Sequence, residues 1–176
     1  MKRREALHRA ALMMGGILSA PTLAGAMGRV TNLGPSVAVS VEQEALLAEV
    51  ADVIIPTTST PGAKAAGAEK FIVRVMRDCY PKEDQDKFYA GLAKLDADSK
   101  TKFGKGFVEL DAAQKNEMVK LSTTTDKPFF LRMKELTVTG YFTSEIGATK
   151  ALEYLPIPGK FQGCVPLKPG QKAWAL

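Results

Sequence analysis

Apolar residues recur at helical spacing in six stretches of this chain, and no stretch alternates strictly enough to read as a strand. Ser40-Val-Glu-Gln43 opens the first stretch as a capping box, in which the serine and glutamine side chains each satisfy a first-turn backbone amide. Leu46, Leu47, Val50, Val53 and Ile54 follow, with Glu44, Glu49 and Asp52 between them. Pro56 pushes the residue before it out of the α region, so this helix ends near Ile55. Pro56 to Gly62 (PTTSTPG) reads as a loop. Phe71, Ile72, Val75, Met76 and Cys79 form the second stripe, with Lys70, Arg74, Arg77 and Asp78 on its other side. Pro81 ends that stripe and opens a third helix presenting Phe88, Leu92 and Leu95. Gly91 within it costs about 1 kcal/mol relative to alanine. Ser99 to Gly106 is polar and reads as a connection.

Asp111 and Gln114 give a second helix start, and the short helix after them carries Met118 and Leu121. Thr123 to Lys127 reads as loop. Pro128 opens another helix with Phe129, Met133 and Leu136 on one face. Gly140 continues that face, so a neighbouring element can approach its backbone closely. Ser144 caps a last helix bearing Ala148, Ala151, Leu152 and Leu155, which Pro156 ends. The pattern predicts an all-α fold, a compact bundle of about six short helices over residues 40–155. An extended Pro/Gly-rich C-terminal arm, 156–176, follows it.

The first residues change this picture. Lys2, Arg3, Arg4 and Arg9 precede an apolar run from Ala10 to Ala20, and Ala24-Gly25-Ala26 has the small-x-small form of a cleavage site. That is the layout of a secretory signal peptide over residues 1–26. Pro21 and Gly25 interrupt a run already shorter than the roughly 20 residues a membrane span needs. Adjacent Arg3 and Arg4, with Leu7 three positions on, mark the twin-arginine variety, which the translocase of that pathway reads. Lys2, Ala6 and His8 depart from the usual pattern there, and a general secretory signal is the alternative. Residues 27–39 are small and turn-rich, a flexible leader.

Cleavage lowers the formal charge from +5 to +2 and removes His8, the single histidine. The working chain then has no imidazole for base catalysis, metal ligation or haem coordination. With no basic stripe interleaved with aromatics, nucleic-acid binding has little support.

Individual chemistries fare no better. Gly104-Lys-Gly106 meets Glu109 where a third glycine would complete a dinucleotide fingerprint, and neither a phosphate loop nor a serine-nucleophile elbow is present. Asp96 and Asp98 sit beside Ser99 and Lys100 as a solvated helix end, not a catalytic pair. Glu145, next to Ser144, suits a first-turn charge favourable to the helix dipole. No catalytic, cofactor-binding or metal-ligating residue is assigned. Cys79 and Cys164 would meet an oxidising compartment after export, where an even count favours a Cys79–Cys164 disulfide; two separate buried thiols are the alternative.

The stretch Gly140 to Gly159, GYFTSEIGATKALEYLPIPG, combines three aromatics with three charges and three glycines. Tyr141, Phe142, Tyr154, Phe161 and Trp174 bring five of the chain's aromatics into 34 residues, where prolines prevent a continuous helix. Large rigid aromatics favour interface centres, so these five are expected to bind a partner. An arm wrapped on its own core is the alternative.

GYFTSEIGATKALEYLPIPGKFQGCVPL with GQKAWAL, the run IIPTTSTPGAKAAGAEKFI (Ile54 to Ile72) and DCYPKEDQDKF (Asp78 to Phe88) closely resemble the gluconate 2-dehydrogenase subunit 3 family. The resemblance covers essentially everything after residue 40. It implies the small, non-catalytic partner of a periplasmic FAD-dependent dehydrogenase, whose flavoprotein passes electrons to a cytochrome c subunit at the membrane. FAD and haem c would then sit in those partner subunits, none in this chain, and contact with the membrane would be indirect. A twin-arginine signal on a chain with no cofactor site fits co-export with, and stabilisation of, a cofactor-loaded flavoprotein. The rivals are a freestanding exported enzyme using Tyr141, Glu145 or Lys150, and a periplasmic ligand-binding module.

Overall fold

The computed structural model describes residues 39–153, with 159, 164, 166 and 169–174. Arg3, Arg4, Ala24, Ala26, Tyr154 and Phe161, and with them the signal peptide and most of the leader, lie outside the described residues. Five α-helices are described: α1 (Val41–Ile54), α2 (Ala68–Cys79), α3 (Lys82–Phe103), α4 (Ala112–Thr125) and α5 (Lys127–Phe142). A 3-10 turn, Phe107–Glu109, joins α3 to α4, and a wide π turn, Gly147–Ala151, follows α5. The fold is all-α, as the spacing of apolar residues predicts, and among the described residues no strand forms.

Both predicted capping boxes are present. Ser40 Oγ accepts from Gln43 N–H at 3.2 Å and Gln43 Oε1 from Ser40 N–H at 3.0 Å. Asp111 and Gln114 do the same at the start of α4, at 2.8 and 3.3 Å. Each cap stabilises its helix by about 1 kcal/mol.

α5 is the hub: it packs against each of the other four described α-helices. Its buried residues are Phe129, Met133, Leu136, Thr137, Gly140 and Tyr141, a stripe at helical spacing. Two glycines let neighbours reach it. A Cβ on Gly140 would stand 2.7 Å from the ring of Phe71 on α2, which is the close approach the sequence pattern anticipates. On α3, a Cβ on Gly91 would stand 2.6 Å from the ring of Phe129. The helix-propensity cost of Gly91 is therefore offset by close packing of α3 on α5.

Three predicted boundaries are corrected. α3 runs through Ser99 to Phe103, because the buried Ser99 hydroxyl is satisfied within the helix by Leu95 C=O at 2.7 Å. Gly104, at φ 70°, then stops it in the left-handed conformation that glycine adopts without strain. α4 continues to Thr125, where Ser122, Thr123, Thr124 and Thr125 all donate back to carbonyls three or four residues earlier. No loop separates it from α5: Asp126 donates its N–H to Ser122 C=O at 3.0 Å while its carboxylate accepts from Phe129 N–H at 3.3 Å. Leu121, assigned to the core stripe, is 37% exposed, and Val119 and Ser122 are buried instead.

The sixth helix is the third correction. Ser144 does cap it, accepting from Gly147 N–H at 3.0 Å, but the helix amounts to one π turn. Leu152 N–H donates to Gly147 C=O at 2.9 Å, and the chain then turns away.

Candidate functional site

Two places gather exposed or concave chemistry. The first is the end of α5 with the π turn. Tyr141, one of the five aromatics expected to face a partner, is 1% exposed. Its hydroxyl donates to Pro61 C=O at 2.7 Å, so it fastens the Pro56–Gly62 loop to α5. This is a correction with a simple cause: on α5, Tyr141 continues the buried stripe one helical turn beyond Thr137. Phe142, one position on, is 38% exposed and meets the Tyr141 ring edge-on at 5.1 Å. The structure therefore does not assemble Tyr141, Glu145 and Lys150 into a catalytic group: the phenol is buried and engaged, while Glu145 and Lys150 are exposed.

Past the π turn the chain end returns to it. Glu153 pairs with Trp174 as a parallel bridge, and Glu153 N–H donates to Ala173 C=O at 2.8 Å. Lys172 Nζ donates to Lys150 C=O at 2.5 Å, capping the last turn. Trp174 stays 50% exposed.

The cysteines are not joined. Both Cys79 and Cys164 are free and exposed. Cys79 continues the stripe of Ile72 and Met76, but as the last residue of α2 it is exposed where they are buried. The expected Cys79–Cys164 bridge is absent, as is the alternative of two buried thiols.

The second place was not foreseen in the sequence. A groove of about 490 Å³ runs between the end of α2 and the first halves of α3 and α5, floored by Met76, Phe88, Gly91 and Phe129. Tyr80 and Arg132 form one wall: Arg132 Nη1 donates to the Tyr80 hydroxyl at 2.7 Å, with its guanidinium 4.8 Å from the ring centroid. Glu135 accepts from the same Nη1 at 3.0 Å. Asp84, Lys87, Lys94 and Asp126 complete a rim of both signs. Gly91 is the sequence signal nearest to it, since a helical glycine leaves room for a neighbour to approach closely at that point.

Elsewhere the titratable groups serve the fold. Burial would raise the Glu49 carboxyl, but hydrogen bonds from Lys115 (2.7 Å) and Lys64 (2.5 Å) outweigh it and hold the group below its ordinary range. Asp96 is likewise raised by burial and lowered further by Lys100 and by the Phe107 N–H, which donates to it at 2.9 Å. Asp96 thus anchors the 3-10 turn and does not pair with Asp98. Among the described residues no group of three or more His, Cys, Asp or Glu could hold a metal ion. No described helix is long and apolar enough to cross a membrane.

The model of one protein family, described as Gluconate 2-dehydrogenase subunit 3, matches residues 41–159, about two thirds of the chain. No curated protein matches, and no solved structure matches.

Proposed function

The chain belongs to the gluconate 2-dehydrogenase subunit 3 family, and from that premise we propose that it is the small, non-catalytic subunit of a periplasmic dehydrogenase complex. Its companions would be an FAD-bearing flavoprotein that oxidises a sugar acid or polyol and a cytochrome c subunit that takes the electrons to the membrane. Its role would be to accompany the flavoprotein through the twin-arginine translocase and to stabilise it afterwards.

The observation that carries this reading is the family match from the first residue of α1 to Gly159, which takes in the whole described helical bundle. The N-terminal Arg3-Arg4 pair and the Ala24-Gly-Ala26 site support export.

Replacing Arg3 and Arg4 together by lysine tests the export half. This chain and its flavoprotein should then both stay in the cytoplasm, seen by fractionation and by loss of periplasmic dye reduction with gluconate. A flavoprotein that still reaches the periplasm in normal amount would rule out co-export. Purification of the exported chain under mild conditions tests the other half: flavin absorbance should travel with it.

A further inference from the structure

Charge is unevenly divided along this chain. From Gly147 to the C-terminus there are four lysines, Lys150, Lys160, Lys168 and Lys172, and one acid, Glu153. Residues 27–146 carry 16 basic against 17 acidic side chains. The structure fixes part of that cationic end in place. Lys172 reaches the carbonyl of Lys150, which sets two ammonium-bearing residues at one corner, and the Glu153–Ala173 hydrogen bond holds the adjoining Trp174 backbone. Trp174 is half exposed, and Gly159, Cys164, Pro166, Pro169 and Gly170 are exposed as well.

Resting on the subunit reading above, we propose that this latched end, with Lys150, Lys172 and Trp174, docks on an acidic face of the flavoprotein subunit that offers the indole an apolar pocket. Complementary charge raises the rate of encounter, while a desolvated aromatic anchor slows release. The latch has a third effect: backbone already held in place loses less conformational freedom on binding. A lipid surface also welcomes tryptophan and lysine. The sequence of the tail, however, is punctuated by Pro156, Pro158, Gly159, Gly163, Pro166, Pro169 and Gly170, which disfavour the amphipathic helix that lies in a membrane interface, so a protein face fits better.

Binding kinetics of the purified chain on immobilised, purified flavoprotein subunit test this at about 50 and 300 mM NaCl, where screening lengths differ by more than twofold. The wild-type association rate should fall about tenfold between the two salts. A Lys150→Gln/Lys172→Gln variant should associate about tenfold more slowly at low salt and lose most of that salt dependence. Trp174→Ala should dissociate at least about tenfold faster with its association rate nearly unchanged. Salt-independent association, or wild-type kinetics in both variants, would overturn the docking surface while leaving the subunit reading in place. A wild-type chain that does not bind the flavoprotein would instead overturn the subunit reading. Vesicles containing about one third phosphatidylglycerol supply the remaining arm. If the wild type binds them and the variants do not, while flavoprotein binding is equal in all three, the surface faces lipid and the proposal is wrong.

Discussion

Tyr141 links α5 to the loop before α2 through one short hydrogen bond, and its ring is wholly buried. Tyr141→Phe keeps the ring and strands the Pro61 carbonyl, which should cost about 1–2 kcal/mol, or roughly 2–8 °C in thermal midpoint. Phe142→Ala should cost much less, because that neighbouring ring is already 38% exposed. The contrast between the two is measurable by parallel melts. Gly147 should prove stricter than either. A Cβ there would stand 1.9 Å from the Tyr141 carbonyl oxygen, a backbone atom that no rotamer change can move aside. Gly147→Ala should therefore displace the π turn and cost at least about 1–3 kcal/mol, the range for overpacking. The sequence signalled the need for glycine at 140 through helical register, but not at 147. That close contact depends on a chain reversal after Phe142, which periodicity does not encode. The same limit explains Cys79, which register placed on the apolar face of α2 while its exposure depends on tertiary neighbours; Tyr141 was instead expected at an interface, although helical register carries the α5 stripe on to it.

Boundaries set by a capping box or a proline were legible, including the ends of α1 before Pro56 and of α2 before Pro81, while ends set by polar side chains were not. Ser40 and Asp111 act locally, each satisfying amides within its own first turn, so the sequence alone located α1 and α4. The ends of α3 and α4 depend on polar residues that look like loop formers until their hydroxyls find helix carbonyls. Asp126 shows the consequence: this one residue ends α4 and caps α5, with no connecting loop between them. Asp126→Ala should destabilise the bundle by about 1 kcal/mol, and amide exchange should speed first in the opening turn of α5. The Glu49 cluster is the ionic counterpart, tying α1 to the following loop through Lys64 and to α4 through Lys115. Its folded pKa lies below the ordinary carboxylate value, so the stabilisation is complete above the unfolded pKa and is lost as pH falls through the folded one. Melts of wild type should thus fall in midpoint below about pH 4.5. Those of Glu49→Gln should start lower at pH 7 and fall less over the same range. Equal slopes in both would show that the acid limb comes from other carboxylates, such as Asp96.

On the scale of the whole molecule, helices converge on α5 while the described residues of the C-terminal end lie outside the core. The buried side chains come from α1 to α5 and the segments between them, and the described residues from 159 onward add none. Among the described residues, the tail meets Glu153 through a backbone hydrogen bond from Glu153 N–H to Ala173 C=O and meets Lys150 through the exposed Lys172. Hydrogen bonds of this kind, exchanged against water, contribute about 1 kcal/mol or less each. The hydrophobic pattern made this division visible in outline, because apolar helical stripes stop before Pro156 and proline and glycine take over. It did not show that Ala173 and Lys172 would return to Glu153 and Lys150, since those contacts are made by backbone atoms and a lysine, which leave no periodic trace. Deleting Lys168–Leu176 should therefore remove Trp174 and Lys172 without opening the described core. The thermal midpoint of the truncated chain should stay within about 3 °C of the full one, and its far-ultraviolet helix signal should be unchanged. Leu136→Ala on α5 gives the scale for comparison: truncating a buried leucine in the hub helix costs about 2–5 kcal/mol and lowers the midpoint by far more. If the tail deletion unfolds the chain as thoroughly as that core substitution does, the C-terminal end is part of the core, and its exposed lysines and tryptophan cannot be treated as a separable surface.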